Sequence, residues 1–406
     1  MSGHSQELRL SGYGTAGLSW DDRRDMAPTR DISQLPRDVS GGRAGYATAP
    51  NWRLDSRLGL QLDYRLAPEV ELVSQLVLRD HDSATFNNSL ESAFAGWRPL
   101  PAIDARVGRL PYDAFLMSDT RSLGYAYPWV RPPTEFYGWI PIFSVDGADL
   151  SYRFGTEERW RIKAQIGRSG FTVPMGTANY DFKSRDLFTL TLSYQMGPWR
   201  AKAGYSHFQV ATEAPVLDPL RDGLGQLAQG TASLAPAISA EADDVRRNLM
   251  FKDARVGYQT LGLSYDDGSW FGQAEVGRSR STTGILPHGA MWYAGLGRHW
   301  GDWMPYLLAS SVRPAADVRG PAQDWSAIGQ AGVQALALNV LNSTRMAQDS
   351  VALGLRWDVA NQASVKLQWT STHVQASGYG LWWRDLTLNS RPSRVNLLSL
   401  NLDFVF

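Results

Sequence analysis

The sequence predicts an all-β fold, a transmembrane antiparallel up-and-down β-barrel of about sixteen strands, on three observations. Apolar and polar residues alternate with a period of two from one end of the chain to the other. No apolar run reaches the roughly 20 residues that a membrane-spanning helix requires. The segments between the alternating stretches are short and long in turn. A hydrophobic share of 43% over 406 residues resembles that of a soluble protein. In a barrel, however, lipid-facing apolar residues alternate with polar residues turned to the lumen, so the average conceals the membrane face. The same length would otherwise suggest two or three soluble domains; a closed barrel makes residues 1–406 a single domain.

The alternation is clearest at the C-terminus, where Leu398, Leu400, Leu402, Phe404 and Phe406 are separated by Ser399, Asn401 and Asp403. Leu54, Leu58, Leu60, Leu62 and Tyr64 likewise oppose Arg53, Asp55, Arg57, Gln61, Asp63 and Arg65, a face too charged for a soluble sandwich. Breakpoints at Gly, Pro, Asn and Asp clusters divide the first half into eight segments. They run from Gln6 to Trp20, Trp52 to Leu66, Val70 to Arg79, Ser89 to Arg98, Ala102 to Arg109, Ala148 to Phe154, Arg159 to Arg168 and Arg185 to Met196. The second half gives Trp199 to Val210, Asp253 to Tyr265, Ser269 to Arg278, Ala290 to Trp300, Trp303 to Val312, Gln348 to Val359, Ala363 to His373 and Arg394 to Phe406. The pair around Ala290 to Val312 alternates least cleanly.

Connections such as Leu100–Pro101, Gly197–Pro198 and Gly301–Asp302 are very short, and those between them are long. Short turns on one rim and long loops on the other suit an up-and-down membrane barrel. Tyr64, Trp97, Trp160, Tyr194, Trp199, Tyr265, Trp270, Trp300, Trp303 and Trp357 cluster beside the short turns, as an interfacial aromatic girdle should. A soluble propeller also has many short strands, but no repeat of 40 to 50 residues is present.

Three insertions stand out. Residues 111–147 carry Phe115, Tyr125, Tyr127, Trp129, Phe136, Tyr137 and Trp139, which need a surface to bury against, so this segment is expected to fold inward. Residues 211–252 include good helix formers between Ala240 and Leu249. Residues 313–347 include an apolar stretch from Trp325 to Leu341, suited to cap the mouth or to pack on a neighbouring subunit, with packing on its own barrel the simpler expectation.

Sixteen strands, a long aromatic third loop and a terminal Phe together resemble the trimeric porins of Gram-negative outer membranes, over the full length of the chain. The resemblance implies several things. Residues 111–147 become a constriction loop within the lumen, and Phe404 and Phe406 an assembly signal read by the barrel-assembly machinery. The surroundings become outer-membrane lipid and lipopolysaccharide, the oligomer a homotrimer, and the function passive diffusion of small hydrophilic solutes. The loop departs from the general porins in having YPWVRPP, Tyr127 to Pro133, in place of a short acidic-glycine motif. That leaves the solute open.

Strand parity places Arg57, Arg79, Arg106, Arg153, Arg161, Lys163, Arg200 and Lys202 in the lumen, while the loop offers Asp113, Asp119 and Glu135 along with Arg121 and Arg131. A basic wall facing an acidic loop would set up a transverse field. Arginine, which far outnumbers lysine, grips carboxylates with two hydrogen bonds. Anions such as carboxylates are the expected preference, unless the lumen arginines are neutralised by Asp55, Asp63, Asp104 and Glu275.

Other chemistries find little support. There is no cysteine, hence no disulfide or thiolate site. Lys plus Arg equals Asp plus Glu at 40 each, so charge does not favour nucleic acid. Gly12, Gly14 and Gly17 spell GxGxxG, but within a strand rather than between a strand and a helix, so no nucleotide cofactor is expected. The six histidines have no metal-ligand spacing. A barrel enzyme lacks a persuasive nucleophile and base, Ser151, Ser371 and His373 being candidates by type alone; a polymer-export pore or secretion scaffold is the other alternative. Met1 to Gln6 lack a charged start followed by an apolar stretch, and the barrel reading expects a signal peptide to have been removed.

Overall fold

No water reaches backbone groups inside a bilayer, so each strand needs a partner on both edges, and only a closed sheet provides one. The computed structural model describes residues 7–22, 26–28, 50–80, 86–140, 142–175, 178–376, 382–384 and 391–406, and it closes such a sheet. Its strands are β1 (Glu7–Asp21), β2 (Arg57–Ala67), β3 (Val70–Arg79), β4 (Leu90–Leu100), β5 (Ile103–Pro111), β6 (Ser144–Phe154), β7 (Arg159–Arg168) and β8 (Ala178–Met196). They continue as β9 (Trp199–Val210), β10 (Arg255–Asp266), β11 (Trp270–Ser281), β12 (Gly289–Arg298), β13 (Trp303–Pro314), β14 (Gln348–Ala360), β15 (Ala363–Val374) and β16 (Ser393–Val405). Every neighbour is antiparallel. Strand β1 closes the ring by pairing with β2 from Glu7↔Arg65 to Thr15↔Arg57 and with β16 from Tyr13↔Val405 to Asp21↔Leu397.

Each expected segment is a strand, with differences at the ends. The second begins at Arg57 rather than Trp52, because Leu54 turns in among Val374, Val395 and Leu397 and the Asp55 carboxylate accepts two hydrogen bonds from Arg131. The eighth extends back to Ala178, where it pairs with Gly170–Met175, and its register slips at Asp186, which has φ 54°. Strands β5 and β6 shorten the third loop to residues 112–143.

The outer wall is apolar: Leu58, Leu72, Val107, Ile162, Leu261, Leu296, Leu353 and Leu400 are all exposed. Such a belt is a liability in water and at home in hydrocarbon. Aromatic pairs flank the short turns, with ring centroids 4.5 Å apart for Trp160 and Tyr194, 4.6 Å for Trp199 and Tyr265, and 4.9 Å for Trp303 and Trp357. At the β1–β16 seam the first two glycines of the GxGxxG motif meet aromatic rings. A Cβ on Gly12 would come 2.4 Å from the Phe406 ring, and one on Gly14 2.3 Å from the Phe404 ring. The glycines thus admit Phe404 and Phe406 to the seam, a packing role rather than a phosphate-binding one.

The long loops carry helices α1 (Asp218–Thr231), α2 (Pro236–Asn248) and α3 (Ala331–Asn342). Where the sequence suggests one short helix there is a helical hairpin. Gly223, Gly225 and Gly230 mask α1, which is held by packing, with Leu224 and Ala228 buried and Arg221 bonded to Glu213 at 2.6 Å. Residues 325–342 pack on this hairpin: Trp325 is fully buried, and its indole N–H donates to Glu241 on α2 at 2.9 Å. Arg246 and Arg247 hold the half-buried Asp243 carboxyl below its ordinary pKa.

Candidate functional site: the loop across the lumen and the gap beside it

The core of this molecule lies inside the barrel. Trp129, Phe136, Tyr137, Phe115, Ile140 and Ile142, all from the third loop, are among the most deeply buried side chains. They pack on lumen-facing residues of β10–β13. Phe115 meets Tyr258 edge-on at 6.1 Å, Phe136 meets Tyr293 at 5.4 Å, and Trp129 meets Tyr306 at 5.6 Å. Gly295 makes room for the Trp129 ring, since a Cβ there would lie 2.1 Å from it. Fully burying each aromatic is worth about 1.5–3 kcal/mol, so these contacts alone bind the loop firmly to that wall.

Polar anchors fix its register. Arg131 forks onto Asp55 at 2.8 and 2.6 Å and onto Ser399 at 2.7 Å. Lys366, wholly buried, donates to the carbonyls of Gly124, Tyr127 and Trp129 at 2.6, 2.7 and 3.0 Å. Gln368 and Asn401 bond the Val130 N–H and carbonyl. The Glu135 carboxylate accepts from Ser310 at 2.7 Å, Gln348 at 2.6 Å and the Ser350 hydroxyl. Glu275 accepts from Leu116 N–H at 2.9 Å and the Tyr137 hydroxyl at 2.6 Å. At the loop's tip, the Tyr125 hydroxyl reaches the short-turn rim and donates to the Asn361 carbonyl at 2.8 Å.

The opposite face of the loop leaves a gap against β1–β4. A cavity of about 420 Å³ there is lined by Arg9, Gln61, Gln75 and Glu91 from the wall and by Asp119 and Arg121 from the loop. A separate small hollow of about 20 Å³, room for a single water, adjoins it at Arg121, Ser122 and Phe143 and is lined also by Arg57 and Arg79. The guanidinium carbons of Arg79 and Arg121 lie 3.8 and 3.9 Å from the centroid of the Phe143 ring. Arg57 donates to the Tyr127 hydroxyl at 2.8 Å and the Ser122 carbonyl at 2.6 Å; Arg121 donates to the carbonyls of Tyr137 and Ile140. One carboxylate, Glu91, faces this cluster, 3.2 Å from Arg79 and hydrogen-bonded to Ser122. Three guanidinium groups thus meet beside this hollow, with Glu91 the nearest carboxylate to Arg79.

The register turns all eight basic residues singled out from the sequence inward, though to different surroundings. Arg57 and Arg79 reach the narrow gap. Lys163 and Lys202 lie under the loop and clamp Asp113, with Arg161 3.7 Å away. Arg106 forks onto Asp149, Arg153 bonds Asp104 at 3.1 Å, and Arg200 is exposed on the β9 wall. The acidic loop does not face the basic wall across open space: Asp113 is docked onto it, Glu135 is turned to the hydroxyls of β13 and β14, and Asp119 alone is exposed in the cavity. Of the expected neutralising set, only Asp104, with Arg153, pairs with a wall arginine singled out from the sequence. Asp55 binds Arg131 of the loop, Gln61 donates to Asp63, and Glu275 binds tyrosine. Sequence reasoning missed Glu91, Ser122 and Phe143, which acquire meaning only once the loop is docked.

A chain folded this way is comparable over its whole length with solved membrane barrels. OmpF of Salmonella typhi, solved in complex with daunomycin, matches at a TM-score of 0.55 and 11% identity, over 99% of this chain and 98% of its own. OmpT, an outer membrane protein of Vibrio cholerae, matches at 0.54 and 11%, over 100% and 99%. The fold is that of the outer-membrane porins. The outer membrane channel DcaP of Acinetobacter baumannii adds a porin-like match at 0.50 and 9% identity, over 99% and 97%. No family model and no curated protein matches the sequence. The porin fold is therefore carried here by a sequence far from these relatives in identity.

Proposed function

We propose that this porin-like barrel is a diffusion channel of the Gram-negative outer membrane, passing small hydrophilic solutes with a preference for anions such as carboxylates. The observation that carries the reading is the trio Arg57, Arg79 and Arg121 gathered beside the docked loop. A low-dielectric wall focuses their field on whatever passes, and the arginine fork suits carboxylate oxygens. The apolar outer belt and the porin fold support the membrane setting, with outer-membrane lipid, lipopolysaccharide and barrel-assembly machinery as surroundings and a homotrimer as the working assembly. Phe404 and Phe406 at the closing seam suit an assembly signal that is read before the ring shuts. The reading is tested by planar-bilayer recording in a salt gradient, where stable steps with an anion-selective reversal potential are expected. Absence of current, or cation selectivity, would overturn it.

A further inference from the structure

The outer surface of the barrel changes character at the long-loop ends of β10 and β11. Tyr258 and Glu275 turn to the lumen, against Phe115 and Tyr137 of the loop, so strand parity sends Arg255, Gln259, Arg278 and Arg280 outward, and all four are exposed. The register brings the three arginines together. Arg278 lies opposite Gln259, and Arg280 lies opposite Gly257, which has no side chain to stand between Arg280 and the next outward residue of β10, Arg255. Along one strand face Arg278 and Arg280 are about 7 Å apart, and the diagonal from Arg280 to Arg255 is about 7–8 Å. On the β12 side Arg278 faces only Ala290.

This charge has no answer within the chain. Among the described residues no ion pair or hydrogen bond engages the guanidinium of Arg255, Arg278 or Arg280. Three other arginines along the same edge are each neutralised: Arg109 forks onto Asp146 at 2.7 and 2.9 Å, Arg185 holds Asp253 at 2.6 Å, and Arg313 holds Asp349 at 2.6 Å. Arg168 and Arg394 lack such a partner but stand singly on their strands. Directly beneath the cluster, Leu261, Val276 and Trp292 form one cross-strand row and are 58%, 54% and 43% exposed. The arginines therefore stand where the apolar belt ends, with an indole at the boundary such rings favour. An arginine on the lipid face is costly at mid-bilayer and nearly free at this edge.

We infer that Arg255, Arg278 and Arg280 form a docking surface for the phosphate groups of an outer-leaflet lipid headgroup, of the phosphorylated glycolipid class to which lipopolysaccharide belongs. The guanidinium fork matches phosphate oxygens in two hydrogen bonds, and clustered cations beside a membrane-spanning segment gather anionic headgroups. A free phosphate ion offers the same oxygens, but only a lipid also uses the apolar row of Leu261, Val276 and Trp292, along which its acyl chains would lie. The inference rests on the outer-membrane setting proposed above and adds to it a lipid site on one side of the barrel, outside the pore.

Native mass spectrometry of the full-length barrel in a neutral detergent tests it, with bisphosphorylated lipid A, dephosphorylated lipid A and inorganic phosphate as probes. Saturable binding of the bisphosphorylated lipid is expected, with the dephosphorylated form about tenfold weaker and millimolar inorganic phosphate unable to displace it. Changing Arg278→Gln and Arg280→Gln together should weaken that binding about thirtyfold, whereas Arg168→Gln with Arg394→Gln, which removes the same charge from single positions, should weaken it less than about threefold. Heat-modifiable gel migration reports that each variant still folds. Equal binding of the dephosphorylated lipid, or equal losses from the two pairs of substitutions, would overturn the inference; displacement by inorganic phosphate would overturn it too, by giving the cluster to free anions. Stable current without phosphate-dependent lipid binding would sink the lipid site alone; lipid binding without current would sink the channel and leave the site.

Discussion

The two faces of the third loop follow opposite rules. Toward β10–β13 it is dry: Trp129, Phe136, Phe115 and Tyr137 interleave with Tyr258, Tyr293, Tyr306 and Leu308. Toward β1–β4 it is wet, with Arg57, Arg79, Arg121, Glu91 and Gln75 around a cavity. The difference teaches that one loop does two jobs in one lumen. It packs one side of the barrel as a core and leaves a cavity on the other, where the charges are.

The comparison can be broken from either side. The largest effect is expected for Trp129→Ala, since truncating a buried aromatic costs about 3–5 kcal/mol. With the dry face loosened, single-channel recordings should show larger and noisier steps while the barrel keeps its heat-modifiable migration; unchanged conductance would mean the packing does not set the passage. Asp55→Ala comes next, at about 3 kcal/mol, because it strands the Arg131 guanidinium among buried groups with Ser399 as a remaining partner. The double change Asp55→Leu with Arg131→Met should recover part of that loss in a denaturation series, and a purely additive pair would argue that the two side chains act separately. On the wet face Arg79→Gln removes one charge from the gap, together with its contacts to Phe143 and Glu91. A unit charge about 4 Å away in water is worth about 1 kcal/mol, so the anion-to-cation permeability ratio should fall roughly fivefold. An unchanged ratio would place the selectivity elsewhere.

The wet face and the barrel were legible in the sequence, and the dry face was not. Alternation sorts lipid from lumen only where the lumen is polar, as in Arg57, Gln61 and Asp63 of β2. Met291, Tyr293, Tyr306 and Leu308 point into the lumen yet are apolar, because the loop rather than water covers them, so β12 and β13 lost their period. The aromatic content of residues 111–147 revealed that the loop must bury itself, but not against which wall. The transverse field drawn from Asp113 and Glu135 missed for the same reason: a carboxylate on an inward loop is as well placed to dock it as to face the pore, and only the fold distinguishes Asp113 clamped by Lys163 and Lys202 from Asp119 in the cavity. Helix α1 was hidden by its glycines, since tertiary contacts overrode weak propensity.

The absence of cysteine from the chain makes the central claim directly testable. Single substitutions Gln75→Cys on the wet wall and Leu308→Cys on the dry wall would be exposed to a charged thiol-reactive reagent during bilayer recording. The account predicts that Gln75→Cys reacts at once and its current falls, while Leu308→Cys stays unmodified and conducts as before. Rapid block through Leu308→Cys, with Gln75→Cys unaffected, would put the passage on the side assigned to the core and contradict the account.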